Sequence, residues 1–225
     1  MITFKNKKSD SLGIVFSEQP TIPTGKERTQ FLTVVGRDGK LTVEDDSLEP
    51  IQITLEGHAE CTRDELINYF RGEGNLIFDV LPDRYYEARN VEGVNITYPL
   101  GDGRLLKFLV ALELEPYSRP LENPLVTLEK ISLIENNTNM VAKPYLKITG
   151  NGTITLKRNS VQFLEIKNVV DYVEINGEMD FISKGTVSME RNAIGEVLTL
   201  KEGQNHLEVI GDVTKVEIRY NWRYR

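Results

Sequence analysis

The stretch PIQITLEGHAECTRDELINYFRGEGNLIFDVLPDRYYEAR, residues 50–89, sets the structural class of this chain. Its first part alternates Ile51, Ile53 and Leu55 with polar neighbours, the period of a strand with one buried face. A helix follows. Thr62 can accept from the backbone at its start, Glu65 three residues on completes a capping box, and Leu66, Tyr69 and Phe70 form one apolar face before Gly72 stops it. NLIFDV then reads as a second strand, Pro82 marks a turn, and RYYEAR begins a third strand. One short helix among strands predicts a mainly β protein.

Working outward, the same alternation recurs on both sides. In FLTVVGRDGKLTVEDD, residues 31–46, Thr33 and Val35 precede Gly36-Arg37-Asp38-Gly39, and Leu41 and Val43 follow it. Asp-Gly between alternating runs is the signal of a tight hairpin, because a type I′ turn needs φ > 0 at both central positions. TYPLGDGRLLKFLVALELEPY, residues 97–117, predicts another hairpin turning at Gly101-Asp102-Gly103. SRPLENPLV places Pro120 and Pro124 close together, and a domain boundary is expected near Leu121, giving domains at 1–121 and 122–225. Beyond it nearly every segment reads as a short strand separated by Gly, Asn or Asp turns, the spacing of a β-sandwich. The closing segment VTKVEIRYNWRYR puts Val216, Ile218, Tyr220, Trp222 and Tyr224 on one face, expected to be mostly core.

Composition excludes several functions. The 225 residues are 40% hydrophobic and 27% charged, with a net charge of −7. Residues 1–118 hold 13 Lys and Arg against 20 Asp and Glu, while residues 119–225 hold 14 of each, so the excess acid lies in the N-terminal half. That balance argues against sequence-specific nucleic-acid binding, which needs a basic footprint. Cys61 is the only cysteine, so no intramolecular disulfide can form. No segment reads as a secretion signal or a membrane span, and the expectation is folding in cytoplasm with no membrane contact. His58 and His206 lack metal-ligand spacing, the acidic run Glu44-Asp45-Asp46 lacks the spacing of a calcium loop, and no phosphate-binding glycine loop or Gly-x-Ser-x-Gly elbow occurs. No cofactor, metal or catalytic residue is expected, and the chain does not read as an enzyme.

Several stretches together resemble one family. SDSLGI near the start, VVGRDGKLT at 34–42, LPDRYYEAR at 81–89 and LELEPYSRP at 112–120 occur in the order found in the N-terminal domain of the distal tail protein of long-tailed, non-contractile bacteriophages. NNTNMVAKPYLKITGNGTITL, LTLKEGQNHLEV and the closing strand are similar to that family's second domain. The residues carrying the resemblance are Gly36, Arg37, Asp38, Gly39, Pro82, Asp83, Arg84, Tyr85, Tyr86, Pro116 and Tyr117. Val35 and Leu81 depart from the family pattern without disturbing the turns. The resemblance implies an N-terminal ring-forming domain, β-sandwich-like with one helix and a β-hairpin, and a C-terminal galectin-like β-sandwich. It implies a homo-hexameric hub at the virion tail tip, assembled in the bacterial host cytoplasm around an axial channel for DNA. Its partners would be the tail tube protein, the tail-associated hub or lysin protein and a receptor-binding protein. Excess acid along such a channel would let DNA slide without sticking. The alternative reading is a carbohydrate-binding module of a cell-wall-targeting assembly, although the galectin sugar motif is missing around His206.

Overall fold

The structure is a computed structural model that describes residues 1–36, 38–98 and 105–225, with backbone alone at 43–46. The expected turn at Gly101-Asp102-Gly103 lies outside the described residues, as does Arg37. The chain divides into two compact units, Met1–Ser118 with Arg225, and Arg119–Tyr224.

The first unit runs β1 (Ile2–Phe4), β2 (Lys7–Lys8), a 3-10 turn (Ser9–Leu12), β3 (Ile14–Phe16), β4 (Lys26–Leu32), β5 (Leu41–Glu49), β6 (Ile51–Ala59), α1 (Arg63–Phe70), β7 (Glu73–Phe78), β8 (Arg84–Thr97) and β9 (Leu106–Leu114). Antiparallel pairing gives a sheet in the order β2-β1-β7-β8-β9-β6-β3. Its spine is the unbroken ladder from Ile51 opposite Leu114 to Ala59 opposite Leu106. Alternation sends Ile51, Ile53 and Leu55 of β6 and Leu106, Phe108, Val110, Leu112 and Leu114 of β9 into one core. The ladder between β8 and β9 shifts register between Asn90 and Val94. There the Asn90 side-chain oxygen accepts from the amides of Glu92 and Gly93, and Gly93 takes a left-handed φ of 83°, so the extra residues bend the strand.

Helix α1 closes this core. The Glu65 amide donates to Thr62 Oγ1 at 3.3 Å and the Thr62 amide donates to Glu65 Oε2 at 2.9 Å, the reciprocal capping box. Gly72, with φ 80°, lies just past the last helical turn. Leu66, Tyr69 and Phe70 are buried, and the Phe70 ring lies 4.8 Å from Tyr69, 5.6 Å from Phe108 and 6.5 Å from Phe4 between centroids. These rings join the helix to both the middle and the edge of the sheet.

The second unit contains β10 (Arg119–Pro120), β11 (Val126–Leu128), β12 (Ile131–Asn136), β13 (Tyr145–Arg158), β14 (Val161–Val169), β15 (Tyr172–Asn176), β16 (Phe181–Lys184), β17 (Val187–Ser188), β18 (Ala193–Gly195) and β19 (Gly203–Arg219). β13 and β19 are the long strands, and each serves two layers. Their ladder breaks register between Thr149 and Gly150 and again between Asn151 and Thr155. On one side of this break β19 pairs with β11 and β13 with β15; on the other β19 pairs with β12 and β13 with β14. A Cβ on Gly150 would sit 2.4 Å from the Asp212 carbonyl oxygen, and one on Gly211 would sit 2.6 Å from that of Thr153. The two strands therefore bend together where only glycine lets the backbones approach, which turns one sheet into a sandwich. Ile134, Leu146, Ile148, Leu156, Leu164, Ile166, Val173, Ile175, Leu207 and Ile218 fill the space between the layers.

Replacing Thr62 by Ala removes the acceptor for the Glu65 amide and should cost about 1 kcal/mol of first-unit stability. The expected result is a lower urea midpoint at unchanged slope, with Thr62→Ser recovering most of the loss.

Candidate functional site

The first surface to consider is the ribbon that carries Gly36, Asp38 and Gly39. β4 and β5 form a two-stranded sheet of their own, paired from Lys26 opposite Glu49 to Leu32 opposite Leu41. The strands therefore end at Leu32 and Leu41, and a longer loop replaces the tight two-residue hairpin expected at Asp38-Gly39. Thr33 and Val35, expected in the preceding strand, lie in that loop. The physical reason is that alternation reports a strand only where one face is buried, and among the described residues β4 is exposed but for half-buried Thr29. Gly36 and Gly39 take φ of 82° and 81° with nothing within 4 Å of an added Cβ, so backbone conformation alone selects glycine. Val35 is 100% exposed and Phe31 61%, with Leu32 and Val34 also exposed. An isolated ribbon is marginal in water, and this one carries four exposed apolar side chains at its end.

Pro82 to Tyr86 form a turn and an anchor. The Leu81 amide donates to the Phe78 carbonyl and the Arg84 amide to that of Leu81. The Arg84 guanidinium holds the Asp83 carboxylate at 3.0 Å and, by donating to it, keeps its pKa below the usual carboxylate range. Tyr86 is buried against Phe78, its ring edge-on at 6.0 Å, while Tyr85 is half-buried. Pro116 is buried and Tyr117 half-buried at the end of the unit, and the Pro116 carbonyl oxygen would lie 2.5 Å from a Cβ on Gly25. The two stretches adjoin: Ala88 stands opposite Leu114 and the Glu115 amide donates to the Glu87 carbonyl at 2.8 Å, which brings the start of β8 beside the segment that follows β9.

The final segment departs from expectation. Val216 and Ile218 are core, but the strand ends at Arg219 and Asn221 adopts a left-handed φ of 52°. Asn221 is buried, accepting from Asn123 Nδ2 at 2.8 Å and donating to the Lys143 carbonyl at 2.9 Å. That kink breaks the period of two, so Tyr220, Trp222 and Tyr224 are half-buried rather than core. Tyr220 and Trp222 stack nearly parallel, centroids 4.7 Å apart, and both pack on the edge of the apolar cluster. Partial burial pushes the Tyr220 hydroxyl pKa up.

Two depressions lie in the first unit. One, of about 370 Å³, is lined by Glu73, Glu87, Glu113, Glu115 and Arg89, with Arg89 and Glu113 paired at 2.6 Å. The other, of about 490 Å³, runs beside Pro20 and Pro23 over the outer side of β6, where Lys107 holds Glu56 at 2.7 Å. Among the described residues no group of three or more His, Cys, Asp or Glu could hold a metal. Burial and the nearby Glu65 carboxylate push the Cys61 thiol up, away from the thiolate that a nucleophile needs.

Gly39→Ala should strain the loop by about 1 kcal/mol and speed amide exchange in β4 and β5 without moving the melting of the core. Trp222→Ala should cost about 2 kcal/mol, below the loss typical of a fully buried indole, as read from the second unit's unfolding midpoint.

No protein-family model matches the chain, and no curated protein sequence matches it. A solved structure does. The crystal structure of the SPP1 Dit (gp 19.1) protein, described as a paradigm of the hub adsorption apparatus in phages infecting Gram-positive bacteria, superposes with a TM-score of 0.74 at 13% sequence identity. The superposition covers 100% of this chain and 98% of that one. From first strand to last, this chain has the fold of the SPP1 Dit protein.

Proposed function

We propose that the chain is a structural component of a bacteriophage tail, the hub at the tail tip, and not an enzyme. In this reading residues 1–121 form a homo-hexameric ring around an axial channel for DNA. Residues 122–225 project from it as the outer domain. One ring face meets the tail tube protein and the other the tail-associated hub or lysin protein, with a receptor-binding protein on the outer domain. The protein is assembled in the bacterial host cytoplasm and ends in the virion.

The observation that carries this reading is the match to a hub adsorption protein over the whole of both chains, with neither unit left over. A hub acts through shape and contact, so its residues need turns, anchors and exposed surfaces. Pro82 to Tyr86 and the Gly36 to Gly39 loop supply turns and anchors, and the β4–β5 ribbon supplies an exposed apolar surface. Burying Phe31, Leu32, Val34 and Val35 against a neighbouring copy would complete the second layer that the ribbon lacks.

Light scattering and negative-stain imaging of the purified chain test this. The expected outcome is a closed ring with six copies, populated more as concentration rises. A Phe31→Asp, Val35→Asp double variant should melt like the parent, since both side chains are exposed, but should form fewer rings. A chain that stays monomeric at high concentration and binds cell-wall glycans would replace the hub reading with the carbohydrate-binding one.

A further inference from the structure

The second unit leaves one long strand edge open. Among the described residues β12 pairs with β19 and with no other strand, in an unshifted antiparallel register from Ile131 opposite Glu208 to Asn136 opposite Gly203. The Val209 amide donates to the Lys130 carbonyl at 2.7 Å, which fixes the phase of that ladder. Hydrogen-bonded pairs alternate along an antiparallel ladder, so Ser132, Ile134 and Asn136 bond to β19. Ile131, Leu133 and Glu135 turn their N–H and C=O groups the other way, to the open edge.

The same three residues carry the exposed side chains. Ile131 is 57% exposed and Leu133 63%, while Ile134 and Asn136 are buried. Two apolar side chains thus stand about 7 Å apart on the solvent face, in step with free backbone donors and acceptors. Natural sheets blunt such edges with proline, bulges, inward charges or brevity. The other edge strands of this unit are brief: three residues in β11 and in β18, two in β17. β12 has six residues without proline or bulge.

The charges around this edge select the occupant. Glu135 follows Leu133 on the same face and is the acidic group at the edge, whereas Glu208, behind Ile131 on β19, stands opposite Lys157 of β13. A second copy fits poorly. Antiparallel pairing of β12 with itself about Leu133 would set Ile131 against Glu135, and sliding by two residues to set Ile131 against Leu133 would bring Glu135 opposite Glu129. Each register costs either a buried carboxylate or a like-charge pair.

We infer that the open edge of β12 is a strand-addition site for a partner protein, taking an extended segment with apolar residues at two alternate positions and a lysine or arginine beside Glu135. The partner's backbone completes the hydrogen bonds of Ile131, Leu133 and Glu135, its apolar residues cover Ile131 and Leu133, and its cation meets Glu135. The site lies within the second unit and does not depend on ring formation, so mass and imaging can fail for the ring while this inference stands, and the reverse.

The test uses the full chain and a short labelled peptide, Lys-Thr-Val-Thr-Val-Thr-Lys, with a second peptide carrying Glu at both ends. Fluorescence anisotropy should show saturable binding of the basic peptide, weakened by salt, and about tenfold weaker binding of the acidic one. Leu133→Lys, at an exposed side chain, should keep the parent's melting temperature and lose the basic peptide by about tenfold. Leu133→Pro should do the same by deleting a free edge donor, whereas Ser132→Pro should destabilise the unit because that amide bonds to β19. In the free protein the amides of Leu133 and Glu135 should exchange faster than those of Ser132 and Ile134, and slow when the basic peptide is added. Equal binding by parent and Leu133→Lys, no saturable binding of either peptide, or a dimer of the chain that Leu133→Lys abolishes would overturn the inference.

Discussion

A sheet with one apolar face must find a second layer, and the bending of long antiparallel ladders is how each unit of this protein finds one. In the second unit β13 and β19 run side by side, break register together, and change partners at the corner. The close approach at Gly150 and Gly211 is what the corner requires: with a Cβ at either, the two backbones would have to separate and the layers would open. In the first unit the ladder of β6 and β9 keeps an unshifted register, the bulge in β8 bends the sheet beside it, and the rings of Phe4, Phe70 and Phe108 tie α1 over the core. Each core thus combines hairpins of consecutive strands, such as β7 with β8 and β13 with β14, with pairings distant in sequence, β6 with β9 and β13 with β19.

That division explains what was legible in the sequence. The helix could be read residue by residue, because Thr62, Glu65 and Gly72 act within a single turn of their own backbone. Buried strands such as Ile51 to Ala59 could be read because their alternation coincides with burial. The ribbon could not. Its residues alternate too, but among the described residues β4 is exposed but for half-buried Thr29, so Thr33 and Val35 leave the strand without losing a buried contact. The last strand misled for a different reason: the left-handed turn at Asn221 is held by Asn123 and by the Lys143 carbonyl, groups far away in sequence. Edges were invisible as well, since a strand edge is defined by which neighbour is absent, and Ile131 and Leu133 look like any alternating pair until β19 is found on their other side.

Agreement of fold at 13% identity has a related cause. A core asks for apolar side chains of suitable volume at alternating positions, and many sequences meet that demand. Turns ask for more. Gly36 and Gly39 with left-handed φ, Pro82 before a strand, and the Asp83–Arg84 pair are local requirements that tolerate few replacements. Of the stretches that resemble the distal tail proteins, the residues Gly36, Asp38, Gly39, Pro82 and Asp83 lie between strands, whereas Tyr86–Arg89, Tyr145–Leu156 and Val213–Arg219 lie within the ladders of β8, β13 and β19.

The placement of exposed apolar groups carries the argument one step further. A protein that acts on a small molecule gathers polar groups in a concave site and shifts their pKa values. Here one depression of the first unit is lined by Glu73, Glu87, Glu113 and Glu115, with Arg89 pairing Glu113, and another by Pro20, Pro23 and the outer side of β6, while apolar side chains stand out at a ribbon end and along a strand edge. Backbone groups at an edge bind only extended chain, and an uncovered ribbon gains stability only from another protein surface. The two edge strands that close the first unit's sheet are themselves short, and β2 consists of Lys7 and Lys8, whose charge discourages pairing there. The first unit's sheet thus ends in brief strands, while β12 of the second keeps a six-residue edge open among the described residues. On physical grounds, then, the ribbon and β12 are where this protein's relations with its neighbours are to be sought.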